Sequence, residues 1–361
     1  MSSLNLRKDE GILLIRLGAV GDVIRTLPAL SVLRQSFPEA RLGWVVEPGS
    51  RPLLPAPPWL DEIFVFPRGA FQSGWSLGSL EKIQARLRDF VSRLRGFHAG
   101  LSIDFQGSAK SALVGRFSGA KRRLGFDRTG SREASHLLNT LRVKPSSPYL
   151  NRIQKNLELL GPLQVSTFPL HFPFPPLPGS GKVSAFFASL GRGIPVALHP
   201  GTSDRQAHKR WPPENFGILA HLLAAEGYAP ILTWGPGEES LAAEVLALSR
   251  GAAVIAPATS LCEMRELLLS CKLFVGADTG PMHLAWSQGV PVVALFGSTD
   301  PRINGPLGDR HRVLAPAWED GPTPKRGDPD PIKRISPDTV MRASREILSS
   351  IPLPSSSMGS P

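Results

Sequence analysis

Cysteine is scarce in this sequence, which has only two, Cys262 and Cys271, among 361 residues. Two cysteines cannot form a disulfide framework, and neither stands in a Cys-x-x-Cys or Cys/His cluster of the kind that binds zinc. Both fall in one predicted helical stretch. They are interpreted as reduced packing residues of a cytosolic protein, and no metal site is predicted.

Long apolar runs are also missing. None approaches the roughly 18 residues that a membrane-spanning helix needs. The opening MSSLNLRKDEG lacks the apolar stretch of a signal peptide. The sequence therefore predicts a protein that neither spans a membrane nor is exported by that route, which leaves a position against a membrane surface open.

Acidic residues are in short supply in the first half of the chain. Residues 1–180 contain 24 Lys and Arg against 13 Asp and Glu, whereas residues 181–361 contain 17 of each. All of the net charge of +11 therefore sits in the first half. This asymmetry favours an anionic partner there: a nucleic acid, an acidic lipid surface or an acidic substrate. Solubility alone is the alternative explanation.

Apolar runs that alternate with helical periodicity predict an α/β protein. GILLIRL at 11–17 is typical of a buried parallel strand, a helix follows from Val23 to Ser36, and RLGWVVE is the next strand. The predicted organisation is a first domain at 1–161, a Pro- and Gly-rich linker at 162–182, a second domain at 183–335, a C-terminal helix at 336–350 and a disordered tail at 351–361. Two doubly wound, Rossmann-like domains then face each other across a cleft, with ligands beyond the carboxyl ends of the strands.

The turn after the first strand carries Gly18, Gly21 and Asp22. Asp is a favoured N-cap residue, so one interpretation of Asp22 is purely structural. The other is a carboxylate in the cleft that accepts the proton of an attacking hydroxyl. The glycines do not complete the GxGxxG pattern, which weakens an NAD-dependent oxidoreductase as the alternative function.

Two loops of the second domain predict a nucleotide site. HPGTSDRQAHKRW brings glycine and hydroxyls beside Lys209, a combination that suits a diphosphate, with a solvated basic loop as the alternative. In VGADTGPMHLAW, backbone N–H groups near Thr279 and Gly280 are expected to meet a phosphate. Asp278 is expected to hold that loop through backbone hydrogen bonds, and His283 to point back at the ligand.

The segment WGPGEE ends another strand of the second domain. Glu238 is placed to accept hydrogen bonds from ribose hydroxyls. Alternatively, Glu238 and Glu239 only begin a helix, where acidic residues are favoured.

Taken together, the segments resemble those of the family-nine glycosyltransferases, the ADP-heptose:lipopolysaccharide heptosyltransferases. The resemblance is carried, in order from about residue 11 to 348, by LGAVGDVIRTLPALSVLRQSFPEARLGWVVE, IDFQGSAKSALVGRFSGAKRRLGFDR with SREA, HKRWPPENF and VGADTGPMHLAWSQGVPVVALFGSTDP. It implies a GT-B fold, with the acceptor in the first domain and an ADP-sugar in the second. It also implies an inverting transfer without an obligatory metal or other cofactor. QGSAKSA and SREA look most like the type I enzymes, which add the first heptose to Kdo on lipid A.

By matching motifs, the resemblance implies Asp22 as the general base and Lys209 as the lysine that contacts phosphate. The other donor positions are Thr202, Glu238, Asp278, Thr279, Gly280 and His283. Apart from the motif match, Gly21, Lys110, Arg122 and Arg123 are predicted to bind the acceptor. Departures from the family are the lack of cysteine in 315–335 and Asn151 where some relatives have His. These departures concern the acceptor and the heptose position more than the reaction class.

The implied partners are a nucleotide-sugar donor, an acidic lipid-linked saccharide acceptor and an anionic membrane surface. The protein is expected to be cytoplasmic and peripheral on the inner face of the bacterial inner membrane. Its predicted docking surface comprises Arg68, Lys110, Lys121, Arg122, Arg123, Arg128 and Arg132. A basic nucleic-acid-binding protein remains an alternative, although no binding motif is present and no nucleic-acid partner is predicted. A third alternative is an inactive donor-binding homologue, against which Asp22 argues.

Overall fold

A computed structural model describes residues 10–68, 77–166, 168–191, 193–318 and 330–350. Contacts divide the chain into two compact units, Met1–Pro176 and Leu177–Pro361. The division falls inside the predicted linker, 162–182. The predicted tail, 351–361, lies outside the described residues.

The first unit is built on a six-stranded parallel sheet. Its strands are β1 (Gly11–Ile15), β2 (Leu42–Val46), β3 (Glu62–Val65), β4 (Ala99–Asp104), β5 (Arg122–Phe126) and β6 (Leu141–Val143). Their order in the sheet is β3-β2-β1-β4-β5-β6. Since the order reverses between β1 and β4, the carboxyl ends of these two strands flank the crevice where doubly wound sheets bind ligands.

The helices of the first unit are α1 (Val20–Ile24), α2 (Leu27–Ser36), α3 (Leu77–Gly96), α4 (Ala109–Phe117) and α5 (Arg152–Glu158). The prediction of one continuous helix from Val23 to Ser36 is wrong. Pro28 has no N–H to bond to the carbonyl of Ile24, and its ring would clash there. The chain therefore ends α1 at Ile24 and starts again with Pro28 in the first turn of α2.

Both faces of the first sheet are covered, as the continuous apolar run of β1 predicts. Ile12 and Leu14 pack with α2, while Leu13 and Ile15 pack with the apolar side of α3. The first part of the predicted linker also belongs to this core, because its phenylalanines pack against it: Phe168, Phe172 and Phe174.

The second unit repeats the same arrangement. Its strands are β7 (Ile194–His199), β8 (Tyr228–Leu232), β9 (Val254–Ile255), β10 (Leu273–Ala277), β11 (Val292–Leu295) and β12 (Arg312–Leu314). The sheet is again parallel, in the order β12-β11-β10-β7-β8-β9. Its reversal point lies between β7 and β10, so the crevice at their carboxyl ends corresponds to the one between β1 and β4.

The helices of the second unit are α6 (Gly181–Ser189), α7 (Pro213–Ala225), α8 (Glu239–Leu248), α9 (Leu261–Leu269), α10 (Gly280–Trp286), α11 (Pro301–Asn304) and α12 (Pro337–Ser349). The predicted C-terminal helix corresponds to α12, whose Val340, Met341 and Ile347 are part of the second core. Four elements were missed from the sequence: α6, α11, β5 and β12. In the part of the chain that the structure describes, no helix has the length and apolarity to cross a bilayer.

Candidate functional site

Asp22 lies at the reversal point of the first sheet, inside α1, which follows β1. The N-cap residue of α1 is Ala19, and it makes no side-chain cap hydrogen bond. The capping interpretation of Asp22 is therefore wrong. Its carboxylate instead binds two arginines, with Arg16 Nη2 2.6 Å from Oδ2 and Arg25 Nη2 2.6 Å from Oδ1.

Arg16 connects the two strands at the reversal point. It follows β1 directly, and its Nη1 donates a hydrogen bond of 2.6 Å to the carbonyl oxygen of Phe105, the residue after β4. The next backbone amide, Leu17 N, donates to Gln106 Oε1 at 2.9 Å. The loops after β1 and β4 are thus joined, and the carboxylate of Asp22 is held between them.

These contacts determine the acidity of Asp22. Burial by itself would raise the pKa of this carboxyl, but the charges of Arg16 and Arg25, with a hydrogen bond from Arg25, outweigh burial and hold the pKa well below its ordinary value. Asp22 is therefore ionised at neutral pH. It is also a weak base while both ion pairs persist, because the best general bases have a pKa near the working pH.

A second carboxylate in this crevice, Asp104, was not anticipated. It ends β4, is almost fully buried, and accepts hydrogen bonds of 3.0 Å from the amides of Gln106 and Gly107 and from Ser111 Oγ. Burial raises the pKa of Asp104 to about 6, and the hydrogen bonds only partly offset that effect. The sequence signal was an aspartate at the end of a buried strand.

Basic side chains are grouped at this edge of the sheet: Arg16, Arg25 and Arg152 act on Asp22, and Arg132 and Lys155 lie near Arg152. Burial, with the charges of Arg152, Arg16 and Arg132, lowers the pKa of Lys155 to about 8. Lys155 Nζ donates to the carbonyl of Gly130 at 2.8 Å. Arg152 is exposed, and its charge also acts on Asp22. We call these five residues the basic cluster; sequence reasoning singled out only Arg132 among them.

The predicted acceptor residues divide into two sets. Gly21 lies in α1 beside Asp22, and Lys110, in the first turn of α4, pairs with Glu47 at 2.7 Å. Arg122 and Arg123, by contrast, open β5, so they lie at the amino edge of the sheet and Asp22 at the carboxyl edge.

Their position at the amino edge separates Arg122 and Arg123 from Asp22, contrary to the prediction that they bind the acceptor. Arg122 pairs with Glu10, and Arg123 donates to the carbonyls of Ala120 and Leu138. Both guanidinium groups stabilise that edge of the sheet. The strand was not recognised in the sequence because RRLGF begins with two arginines.

At the reversal point of the second sheet, three of the predicted donor residues form one buried network. Lys209 Nζ lies 3.0 Å from Asp278 Oδ2, and His283 Nε2 lies 3.2 Å from Asp278 Oδ1. Trp286 Nε1 donates to His283 Nδ1 at 3.2 Å. Because an indole N–H only donates, Nδ1 must accept, which places the ring proton on Nε2, where it donates to Asp278.

This network corrects two expectations. Asp278 is held by two side chains, where backbone amides were expected. His283 is buried and directs its proton at Asp278, not outward at a ligand. Burial alone would raise the pKa of Asp278, but His283 and Lys209 together hold it well below its usual range. Asp278 therefore stays ionised and fixes the position of the Lys209 ammonium group.

A third group lies beside this network at the end of β7. His199 Nδ1 is 3.0 Å from Thr233 Oγ1, and His199 Nε2 is 3.5 Å from Glu238 Oε2. The same Glu238 oxygen accepts from the amide of Gly235 at 2.7 Å. Glu238 is the N-cap residue of α8 and Glu239 its first residue, so the alternative that the two acidic residues begin a helix is confirmed, although the Glu238 side chain makes no cap hydrogen bond. A contact between Glu238 and the ribose stays a prediction.

Gly201 leaves the room that Glu238 occupies. A Cβ atom on Gly201 would lie 2.2 Å from Glu238 Oε2, too close for any side chain. Burial lowers the pKa of His199, although the charge of Glu238 acts in the opposite direction. His199 was not singled out from the sequence; its signal was a histidine ending a buried strand.

The remaining predicted donor residues are used within their own loops. Thr202 is buried, and its Oγ1 donates to the carbonyl of Gln206 at 3.1 Å and accepts from Arg210 Nε at 3.0 Å. Thr279 is the N-cap residue of α10, but its hydroxyl bonds to the carbonyl of Ala277. Gly280 is the first residue of α10.

Within the described ranges, no three His, Cys, Asp or Glu side chains are grouped so as to hold a metal ion. Both cysteines are free thiols, and burial raises the pKa of Cys271 to about 12.

Most of the chain matches known proteins. Residues 87–335 match the family model "Glycosyltransferase family 9 (heptosyltransferase)". Lipopolysaccharide heptosyltransferase 1 of Pseudomonas aeruginosa is 30% identical over 301 residues, which cover 82% of this chain and 81% of that protein.

Solved structures agree on the fold. The glycosyl transferase family 9 protein of Veillonella parvula superposes with a TM-score of 0.80 at 22% identity, over 96% of this chain and 99% of that one. The Escherichia coli heptosyltransferase WaaC, solved with ADP-2-deoxy-2-fluoro heptose, gives a TM-score of 0.71 at 24% identity, over 93% and 99% of the two chains. The predicted fold class, α/β with two doubly wound sheets of the GT-B kind, is confirmed. The motifs, the two parallel sheets and these matches lead to one assignment: the chain is a glycosyltransferase and belongs to glycosyltransferase family 9, the heptosyltransferases.

Proposed function

We propose that this chain transfers heptose from ADP-heptose to an acidic, lipid-linked saccharide of the lipopolysaccharide inner core, with inversion at the anomeric carbon. One observation carries the proposal. A carboxylate stands in the basic cluster at the reversal point of one sheet, and a fixed lysine stands at the equivalent point of the other. The first arrangement suits an anionic acceptor with a hydroxyl to deprotonate, and the second suits the diphosphate of the donor.

The donor side of the proposal rests on Lys209. An ammonium group has three N–H donors, and the two contacts with Asp278 leave one for a phosphate oxygen. Because Asp278 already balances the charge of Lys209, the lysine contributes a positioned donor more than a net charge. The amides at the start of α10, near Thr279 and Gly280, add partial positive charge. Glu238 uses Oε2 for both of its described contacts, so Oε1 is its proposed acceptor for a ribose hydroxyl.

The acceptor side rests on the basic cluster. A saccharide that carries carboxylates, such as Kdo, meets exposed Arg132 and Arg152 at the edge where Asp22 lies. Bidentate pairing of arginine with carboxylate gives both orientation and affinity. Kdo-lipid A is accordingly the acceptor we propose. The alternative within the family is a core that is already heptosylated.

In the proposed reaction the acceptor hydroxyl attacks the anomeric carbon opposite the diphosphate. The new carbon–oxygen bond forms while the bond to ADP breaks, and its electron pair leaves with the diphosphate. The hydroxyl proton passes to Asp22. Since the ion pairs keep Asp22 weakly basic, the transfer occurs late, once the attacking oxygen has become acidic. Lys209 stabilises charge on the leaving diphosphate, so no obligatory metal is proposed.

The proposed location is the cytoplasmic side of the inner membrane, with the protein peripheral on its inner face. Supporting it are the excess of basic residues in 1–180 and the lipid anchor of the proposed acceptor.

The decisive experiment is product analysis by mass spectrometry. Purified protein is incubated with ADP-heptose and either Kdo-lipid A or a heptosylated core, with EDTA present, and ADP-glucose serves as the control donor. We expect one heptose to be added to Kdo-lipid A, with the opposite anomeric configuration by NMR. Transfer only to the heptosylated core would refute the proposed acceptor, and no transfer to either would refute the proposed function.

A further inference from the structure

A cavity of about 1130 Å³ lies in the first unit between α3, α4 and the end of β3. Its walls are apolar side chains: Phe66, Leu87, Phe90, Val91, Val114 and Phe117. Small-molecule pockets usually occupy roughly 300–1,000 Å³. The cavity is therefore large enough for a long ligand, and the reversal-point site described above does not use it. We call this cavity the α3–α4 trough.

Solvent-exposed apolar side chains form part of the wall. Leu113 is 42% exposed and Phe117 is 47% exposed, both on α4. Leaving such groups in water beside an apolar cavity is unfavourable, and contiguous exposed apolar surface usually marks a binding site.

The lining of the cavity also includes cations. Four cations line it, Arg68, Arg88, Arg95 and Lys110, and the described lining contains no acidic side chain. Apolar walls with four cations among them complement an amphiphile that has acyl chains and an anionic head. A neutral apolar ligand would make no ionic contacts with these cations, and a nucleic acid would bury little apolar surface against these walls.

One end of the cavity is close to the loop that carries Asp22. Arg68 and Lys110 both pair with Glu47, at 2.6 and 2.7 Å. The Glu47 carboxylate in turn lies against that loop, since a Cβ atom on Gly18 would be 3.7 Å from its Oε2. Two cations of the trough lining and the start of the Asp22 loop therefore contact the same carboxylate, that of Glu47.

From these observations we infer that the α3–α4 trough binds an acyl chain of the lipid-linked acceptor while the acceptor's saccharide lies at Asp22. This inference rests on the proposed function. It names a second contact with the same substrate, made by the lipid. The phosphate groups of the lipid head meet the lining cations, Arg68, Arg88, Arg95 and Lys110, of which Arg68 and Lys110 already share the Glu47 carboxylate.

The test uses the double variant Leu113→Gln/Phe117→Gln. Both side chains are exposed, so the fold is retained. We expect the KM for Kdo-lipid A in detergent micelles to rise about tenfold, as loss of this much apolar contact implies. The kcat, the KM for ADP-heptose and the KM for a deacylated Kdo-disaccharide stay at wild-type values.

Two matched variants accompany it. Ile218→Gln/Leu269→Gln makes the same kind of change at similarly exposed positions of the second unit, 48% and 41% exposed, and should behave as wild type. Leu113→Met/Phe117→Leu keeps the trough apolar and should have the wild-type KM for Kdo-lipid A.

Three outcomes overturn the inference. One is an unchanged KM for Kdo-lipid A. Another is an equal rise for the acylated and deacylated acceptors, which would mean a structural effect. The third is lost binding to phosphatidylglycerol vesicles without any change in KM, which would assign the trough to a bilayer lipid.

Binding of Kdo-lipid A micelles without donor separates this inference from the proposed function. If wild type binds the micelles, the Gln double variant does not, and no heptose is transferred, then the trough stands and the proposed function fails. If wild type does not bind them, the inference fails as well.

Discussion

The two reversal points of this molecule have the same topology but differ in charge. Each lies between the first and fourth strands of a six-stranded parallel sheet, β1 and β4 or β7 and β10. Each holds an aspartate whose pKa is lowered by its neighbours, Arg16 and Arg25 for Asp22, and His283 and Lys209 for Asp278. Duplicated architecture therefore supplies two crevices of the same kind, and the side chains decide what each one binds.

The two crevices differ in the balance of positive and negative charges and in how deeply the aspartate is buried. The Asp22 side chain is 29% exposed. The basic cluster has five cations, and the carboxylates that act on its members are three: Asp22, Asp104 and Asp127. The Asp278 side chain is 8% exposed and is matched by a single lysine. A crevice with surplus cations attracts an anionic partner, whereas a balanced buried pair fixes geometry. The excess positive charge of residues 1–180 thus has a structural counterpart near Asp22.

The largest expected effect comes from Asp22→Asn. Asn cannot accept the hydroxyl proton, so kcat should fall by about 10²–10⁴-fold. The Kd for ADP, measured by calorimetry, should stay unchanged because the donor residues lie on the other unit. Asp61→Asn, the same substitution at the opposite edge of the first sheet, is the control and should keep wild-type activity. Turnover by Asp22→Asn close to that of wild type would remove the general-base role.

The second prediction separates Asp104 from Asp22, its neighbour with the opposite pKa shift. Burial raises the pKa of Asp104 from 3.8 to about 6, so the folded protein holds this proton more tightly than the unfolded chain does. This contribution to the free energy of unfolding is fully present below the pKa that Asp104 has in the unfolded chain. It is lost as the pH rises through the pKa that Asp104 has in the folded protein. Asp104→Asn removes this dependence while keeping acceptors for the loop amides. Relative to wild type, the variant should gain about 2–3 kcal/mol between pH 4 and pH 7.

Urea unfolding of both proteins at several pH values measures that difference. Asp127→Asn is the matched control: slight burial would raise the pKa of Asp127, but hydrogen bonds from Thr129 and Gly130 lower it. Its stability contribution is present at neutral pH and lost as the pH falls. The two variants should therefore differ from wild type with opposite pH dependence. Parallel curves would show that Asp104 is not the buried acid that titrates.

Much of the fold could be predicted because most elements carry their own signal. Ala99–Asp104 is an apolar run between polar turns, and β4 has those bounds. β5 carried no such signal, since Arg122 and Arg123 disguise a strand that is buried only in its second half. The break between α1 and α2 was missed because the apolar spacing continues through it. Only the position of Pro28 marked the break.

The candidate site was less predictable, for a different reason. The residues that follow strands, such as Asp22, Lys209 and Asp278, were found from local sequence. Their partners come from distant segments: Arg152 acts on Asp22 across 130 positions, and burial by the folded chain raises the pKa of Asp104. Charge balance and tautomers are tertiary properties, so the expectation that His283 faces the ligand could be corrected only by structure.

The third prediction concerns the balanced crevice. Lys209→Met removes the positioned donor and leaves the Asp278 carboxylate with His283 as its hydrogen-bond partner but without the lysine's charge. Calorimetry should show about tenfold weaker binding of ADP, with adenosine binding nearly unchanged. Lys209→Arg should recover much of the loss, and Lys182→Met, which breaks an exposed ion pair with Glu263 in the same unit, should have no effect. Equal losses for ADP and adenosine would mean that Lys209 supports the loop and does not bind phosphate.

The smallest expected effect tests the surplus of cations beside Asp22. Arg152 is exposed and lies outside the ion pairs that Asp22 makes with Arg16 and Arg25, so its removal should leave the fold and kcat unchanged. Arg152→Gln should raise the KM for the acidic acceptor about threefold to fivefold, the value of one partly exposed charge contact. The same variant should show a weaker dependence of that KM on salt, because screening acts on one charge fewer. Arg142→Gln, an exposed arginine on β6, is the control of equal charge. If both variants change the KM equally, the acceptor responds to the overall charge of the first unit, and the cations around Asp22 have no special part in binding it.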